Sequence, residues 1–329
     1  MQKIGIIGAG AWGTALAAIL GRSGRQVVLW AREAEVVASI RERRENALFL
    51  PGTLLPEGVS VTAAMDEACD AQAVLLVTPS QALRPVLTQA ATHWLGAPAV
   101  ICAKGIEEGS HALMSEIAAD CLPGVTLAVL SGPTFASEVA RGLPTAITLA
   151  CGDPAIGQKL VETIGTTTFR PYLSDDLVGV QIGGAVKNVL AIGCGIVEGR
   201  GLGDNARAAL LTRGLTEIIR LATARGAKAE TLMGLAGLGD LLLTATSTQS
   251  RNYSLGFAIG QGASLADILA GRASVTEGVY TARSVLELAR ASAVEMPICA
   301  AISALLHHGA DLDTTIQGLL SRPFKAEGI

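Results

Sequence analysis

Charge is scarce in this 329-residue chain: Asp, Glu, Lys and Arg make up 16% of it, against ~25% in ordinary soluble domains. Half of the residues are hydrophobic, so much of the surface is expected to be hidden, in a core or against a second copy of the chain as a homodimer. A basic excess is missing too. The net charge of −4 leaves no footprint for nucleic acid, and no run of like charge offers an interaction tail. Six cysteines (Cys69, Cys102, Cys121, Cys151, Cys194 and Cys299) lie far apart with no C-x-x-C. That pattern argues against bound metal and reads as reduced, mostly buried thiols of a cytoplasmic protein.

Long uncharged runs are few. Residues 4–21 are free of charge and follow Lys3, so they border on a membrane span or an export signal. Gly5, Gly8, Gly10, Gly13 and Gly21 speak against both, because a hydrophobic signal core has no use for a backbone that bends every few residues. The other run, about 177–197, holds Lys187 and Asn188 near its middle and reads as a buried core helix. No membrane span is expected.

In the first run Lys3 to Ile7 is a β-branched strand pattern, Gly8-Ala-Gly10-Ala-Trp-Gly13 is G-x-G-x-x-G, and Thr14 to Leu20 is a small-residue helix pattern. Strand, tight turn and helix in that order form the context in which this motif binds a dinucleotide. Gly8 permits the turn, Gly10 lets the backbone approach a pyrophosphate, and Gly13 brings helix and strand together. Further strands are expected at Val27–Trp30, Ala73–Val77, Ala99–Ala103, Leu127–Leu130 and Thr145–Leu149, each after a polar or helical segment. This cadence predicts a doubly wound α/β sheet of Rossmann type, mostly parallel. After about Ser174 the cadence gives way to helices. The expected division is a dinucleotide-binding domain at 1–176 and an all-α C-terminal domain at 177–329.

Ligands of such sheets lie outside the carboxyl ends of the strands, where the sequence places Arg32, Lys104 and the stretch SGPTFASEV at 131–139. An acid at the end of the second strand selects NAD, whereas Arg32 suits a 2′-phosphate. The expectation is NADP with NAD also usable, and Glu33 leaves the ribose alternative open. In the C-terminal half, Gly183, Lys187 and Ala191 share one helix face. A lysine among small residues faces space that a ligand could fill, and burial would lower its pKa toward neutrality. Periodicity alone leaves a catalytic lysine and an interface lysine both open. Asp240 and Thr244 share another helix face in an apolar run, where a buried Asp needs a partner such as Lys187. Ser250-Arg251-Asn252 offers donors suited to phosphate, although taken singly it reads as a polar loop.

Together the pieces GAGAWGTALA (8–17), AKGIE (103–107), SGPTFA (131–136), GGAVKNVLAI (183–192), GLGDL (237–241), SRN (250–252) and VTEG (275–278) resemble the bacterial NAD(P)-dependent sn-glycerol-3-phosphate dehydrogenases nearly end to end. The resemblance implies reversible hydride transfer interconverting dihydroxyacetone phosphate and sn-glycerol 3-phosphate for phospholipid synthesis. It implies Lys187 as the acid/base, aided by Lys104 and Asp240, with Asp240 and Asn188 orienting the amine. Gly132, Thr134, Asn188, Thr244, Ser250, Arg251 and Asn252 match substrate positions, together with the two lysines and Asp240. Gly8, Gly10, Ala11, Trp12, Gly13, Arg32, Lys104, Ala136, Arg251, Val275 and Glu277 match cofactor positions. Ala11 stands where the family often has serine, which removes one hydrogen bond near the pyrophosphate. Rival readings are another β-hydroxyacid dehydrogenase of the same plan and a non-catalytic NADP(H) sensor.

Overall fold

The computed structural model describes residues 3–271, 275–324 and 326. The chain divides into two compact units, Met1–Ala103 with Met114–Leu177, and Lys104–Leu113 with Val178–Ile329.

The first unit is built on eight strands: β1 (Lys3–Ile7), β2 (Gln26–Trp30), β3 (Val59–Thr62), β4 (Ala73–Leu76), β5 (Ala99–Ile101), β6 (Leu127–Ser131), β7 (Thr145–Cys151) and β8 (Phe169–Ser174). They form one sheet in the order β3-β2-β1-β4-β5-β6-β7-β8. Neighbours run parallel except β6 and β7. Helices α1 (Ala11–Arg22), α2 (Ala34–Arg43), α3 (Met65–Cys69), α4 (Leu83–Ala91), α5 (Met114–Cys121), α6 (Ala136–Ala140) and α7 (Pro154–Ile164) make the connections. The central strands are apolar runs, buried from Ile4 to Ile7 in β1 and throughout β4, because helices cover both faces. Truncating one fully buried side chain here, such as Leu29→Ala, costs about 2–5 kcal/mol.

The expected α/β sheet is present, and it has two strands more than the sequence pattern suggested. β3 spans only VSVT, and β8 contains Pro171 and lies at the sheet edge, where a missing backbone donor is tolerated. Strand order reverses at β1: the chain moves outward through β2 and β3, then returns to β4 on the other side. That reversal opens a crevice at the carboxyl ends of β1 and β4.

The second unit is helical: α8 (Leu177–Gly199), α9 (Asp204–Ala224), α10 (Ala229–Leu232), α11 (Asp240–Ala245), α12 (Arg251–Gly260), α13 (Leu265–Ala270), α14 (Glu277–Ala291), α15 (Pro297–His307) and α16 (Leu312–Leu320). Its core gathers Ile182, Val186, Leu190, Ile218, Leu241 and Leu255 among others. α8 is long and apolar enough to cross a membrane, but that apolar stretch is wholly buried inside the protein, as a core helix should be. Glycine lets its neighbour come unusually close. A Cβ on Gly195 would lie 2.1 Å from the Tyr253 carbonyl oxygen, and one on Gly256 would lie 1.9 Å from that of Ile192. Backbone contact in both directions therefore fixes α12 against α8.

A single cut at 176/177 misses one exchange. Residues 104–113 leave the first unit, where the sequence reading had left them, and join the second. Ile106 and Leu113 pair as an antiparallel bridge and are buried in the helical core. Ten residues holding two apolar anchors are too short for periodicity to reveal which core they enter.

Candidate active site

In the first unit the G-x-G-x-x-G turn follows β1 and opens α1. Gly8 has φ +117°, and a Cβ there would meet the Val77 carbonyl oxygen at 2.5 Å. A Cβ on Gly13 would lie 1.9 Å from the Gly8 oxygen, so only glycine allows helix and turn to touch. Gly10 differs: nothing lies within 4 Å of a Cβ built on it. It occupies the N-cap position of α1 with no side-chain cap, so no side chain takes up the first N–H groups of the helix. Trp12 Nε1 nearby in sequence is buried with no hydrogen-bond partner, as are Thr78 Oγ1 and Ser131 Oγ beyond β4 and at the end of β6. Unpaired donors at strand carboxyl ends, an uncapped helix N-terminus and room over Gly10 fit a dinucleotide pyrophosphate.

Beyond β2 a cleft of about 340 Å³ is lined by Trp30, Arg32, Ala63, Pro85, Val86 and Gln89, a mostly apolar slot beside a guanidinium. The Arg32 side chain is 76% exposed and holds Glu33 Oε1 through Nε at 3.1 Å and Nη2 at 2.8 Å. The two groups that the sequence sets in competition for the ribose thus pair with each other. Gly132 and Thr134 follow β6, where Thr134 donates to the Gly132 carbonyl at 3.1 Å, and Ala136 begins the short α6.

The second unit assembles the charged cluster. Lys187 projects from the middle of α8, and its Nζ donates to Asp240 Oδ1 at 2.6 Å and to Thr244 Oγ1 at 2.7 Å. The other carboxylate oxygen of Asp240 accepts from Lys104 Nζ at 2.7 Å. Asp240 and Lys187 are buried, with Lys104 more open. Two ammonium groups therefore share one buried carboxylate. Desolvation brings the Lys187 amine down from 10.5 to about 8; Asp240 resists the shift, while Lys104 and Arg251 add to it. Asp240 is aimed by an unusual turn: residues Leu235–Gly239 form a π-helical turn immediately before α11, a bulge that recurs at functional sites.

Asn188 does not join the amine. One residue along a helix turns a side chain about 100° away, and its Nδ2 donates to the Gly184 carbonyl at 3.3 Å while its Oδ1 accepts from Asn252 Nδ2 at 2.9 Å. Thr244 takes the orienting place that the resemblance gave to Asn188. Asn252 Oδ1 in turn accepts from the Gly278 N–H at 3.0 Å, which ties α8, α12 and α14 together. Ser250 is the N-cap of α12, its Oγ accepting from Tyr253 N, and Arg251 is the first, solvent-reaching residue of that helix. Glu277 opens α14, and Val275 is exposed just before it. Thr78 and Gly278 were not singled out from the sequence as site residues. Their environments arise from long-range contacts that no local motif announces.

Models of the N-terminal and C-terminal regions of NAD-dependent glycerol-3-phosphate dehydrogenase match residues 3–156 and 176–317. The chain is 62% identical over 330 residues to the glycerol-3-phosphate dehydrogenase (NAD(P)+) of Rhodospirillum rubrum, covering 100% of this chain and 95% of that one. It is 55% identical over 327 residues to that of Caulobacter vibrioides, covering 99% of each. The crystal structure of glycerol-3-phosphate dehydrogenase from Coxiella burnetii superposes with a TM-score of 0.94 at 40% identity, covering 98% of this chain and 99% of that one. With identity this high over the whole length, and with a dinucleotide turn and a lysine–aspartate cluster in place, the chain belongs to the NAD-dependent glycerol-3-phosphate dehydrogenase family.

Proposed function

We propose that this chain is a cytoplasmic enzyme that catalyses the reversible, NAD(P)H-dependent reduction of dihydroxyacetone phosphate to sn-glycerol 3-phosphate, the glycerol unit of phospholipids. The observation that carries the chemistry is the buried Lys187–Asp240–Lys104 cluster. When bound, NAD(P)H would supply a hydride, two electrons together with one hydrogen, to form the new C–H bond at the carbonyl carbon. Lys187 gives the proton to the carbonyl oxygen, a task for which a pKa of about 8 is well placed. Its charge and that of Lys104 stabilise the oxyanion as it develops. Asp240 and Thr244 hold the amine in one position, so little reorganisation remains for the reaction step.

The substrate phosphate goes to the N-terminus of α12. Ser250 accepts a backbone bond through Oγ and retains its O–H to donate, and Asn252 retains the second hydrogen of its amide. Arg251 adds a planar, two-pronged donor. Gly132 and Thr134 are assigned to the substrate as well, and Gly8, Gly10, Ala11, Trp12, Gly13, Ala136, Val275 and Glu277 to the cofactor. NADP is the preferred form, because Arg32 borders the cleft beyond β2. Glu33, its ion-pair partner, offers a carboxylate as an alternative for the ribose 2′-hydroxyl, which supports use of NAD too.

A homodimer is the assembly we favour, given the low charge and the exposed Tyr172 and Leu173 on edge strand β8; light scattering on the purified protein checks it. The deciding experiment for function is NADPH oxidation with dihydroxyacetone phosphate, run beside 2-keto acids of similar size. Turnover of the phosphate ester alone supports the reading. Turnover of the keto acids instead would make this another hydroxyacid dehydrogenase, and cofactor binding with no turnover would make it a sensor.

A further inference from the structure

We propose that Asn46 is a positioning residue for the cofactor, acting through the peptide between Ala9 and Gly10. This inference rests on reading the glycine turn as the dinucleotide site. Asn46 lies in the loop after α2, fully buried, 36 residues beyond the end of the G-x-G segment. Its Nδ2 donates to the Ala9 carbonyl at 2.7 Å and to Thr14 Oγ1 at 2.8 Å, and its Oδ1 accepts from the Phe49 N–H at 3.1 Å. Thr14, also fully buried, donates to the same Ala9 carbonyl at 3.4 Å. A backbone donor on one side and a backbone acceptor on the other leave the amide one orientation. Three of its four hydrogen-bonding positions are filled.

The consequence follows from the geometry of the peptide. In a trans peptide the C=O and the next N–H point in opposite directions, and the described bonds are all trans. Drawing the Ala9 carbonyl inward therefore turns the Gly10 N–H the opposite way, and a Cβ built on Gly10 would meet nothing within 4 Å. Released from Asn46, the peptide could rotate and present a carbonyl oxygen to the pyrophosphate, replacing attraction by repulsion. Gly10 makes that rotation easy, since glycine opposes the change in φ least. A flexible turn that must show its donors to an anion needs a side chain to hold it, and Asn46 is placed to do so.

The test is binding of NADP⁺, measured by calorimetry across pH on the full chain. Asn46→Ala should weaken binding by roughly 10- to 100-fold, the range for losing a buried hydrogen-bonding partner. Asn46→Asp supplies the sharper signature. Its carboxylate keeps the Phe49 bond but opposes the Ala9 oxygen, whereas its protonated form can donate to that oxygen. Affinity of Asn46→Asp should recover as pH falls from about 7.5 to about 5.5, with the carboxyl pKa raised by burial beside an acceptor. Wild type and Asn46→Ala should show no such recovery. A loop that is merely structural would lower the melting temperature and leave the dissociation constant and its pH profile where wild type has them, which overturns the proposal. Should Asn46→Asp fail to fold, Thr14→Val removes the shared hydroxyl at equal volume and should weaken binding roughly three- to tenfold; wild-type affinity there overturns it equally. Wild type binding neither NADP⁺ nor NAD⁺ would refute the function reading itself, a distinct result.

Discussion

Replacing Asp240 by asparagine keeps the shape of the cluster and removes its one negative charge. In the native protein that carboxylate lies 2.6 Å from Lys187 Nζ and 2.7 Å from Lys104 Nζ, and it opposes the desolvation that pulls Lys187 down to about 8. A charge-assisted hydrogen bond of this kind contributes about 3 kcal/mol, which is about a hundredfold in proton affinity. The amine of the Asp240→Asn protein should therefore titrate near ~6. Reduction requires the protonated amine, so its kcat/KM falls above the governing pKa. At pH ~7.5 the protonated fraction drops from about three-quarters to about 3%, roughly 25-fold. A stronger acid transfers its proton faster, which offsets part of that loss, so the diagnostic is the position of the limb rather than the height of the curve. The assay is kcat/KM for dihydroxyacetone phosphate from pH ~5 to ~9.5 at saturating NADPH. A limb that stays at the wild-type pH in Asp240→Asn would refute the claim that Asp240 sets the proton affinity of Lys187.

Lys187→Met should lower turnover by about 10²–10⁴, the usual range for a general acid, with NADPH binding retained by fluorescence titration; survival within a few-fold would make the lysine structural. Arg251→Ala should shrink the preference of kcat/KM for dihydroxyacetone phosphate over unphosphorylated dihydroxyacetone, and Arg251→Lys should recover little of it because a point charge lacks the fork. Arg32→Ala should raise KM for NADPH about 10- to 100-fold and change NADH kinetics far less; equal losses would point to adenine stacking or general damage. Burial pushes the Glu217 carboxyl from 4.5 up to about 7, although it accepts the N–H groups of Ile298 and Cys299 at the start of α15. The unfolded chain releases this proton near 4.5 and the folded one near 7, so the native state binds more protons in between and stability falls as pH rises through that window. Denaturant titrations from pH ~4.5 to ~7.5 should show up to about 3 kcal/mol lost, and Glu217→Gln should flatten the slope.

Much of this was legible because the informative residues carry local constraints. The glycine turn is readable since Gly8 takes a positive φ and Gly13 touches the Gly8 carbonyl, both within one strand–turn–helix unit. Asp240 was readable by conflict: an acid before Leu241, Leu242 and Leu243 demands a cation, and Lys187 supplies it. Spacing alone could not show that Lys104, 136 residues away, binds the same carboxylate. Nor could it show that residues 104–113 cross to the helical core to make that contact possible. β3 and β8 escaped notice for a related reason, since a four-residue strand and a Pro-containing edge strand are held by partners rather than by pattern.

The glycines of α8 and α12 bear on the role proposed for Lys187. Gly195 and Gly256 let the two helices touch backbone to backbone, and the Asn188–Asn252 bond repeats the connection near the active end. Lys187 and Arg251 thus ride on two rigid bodies locked at more than one point, with Asn252 also gripping the first turn of α14 through Gly278. On the proposed reading, a substrate phosphate held at α12 fixes its carbonyl at a set distance from the amine without contacts at the reacting carbon. Discrimination between phosphorylated and unphosphorylated substrate accordingly belongs to kcat as well as to KM, because binding energy at the remote group orients the group that reacts. Breaking the lock without touching either charged residue would impair the reaction of dihydroxyacetone phosphate more than that of dihydroxyacetone, whose slow turnover never depended on the connection.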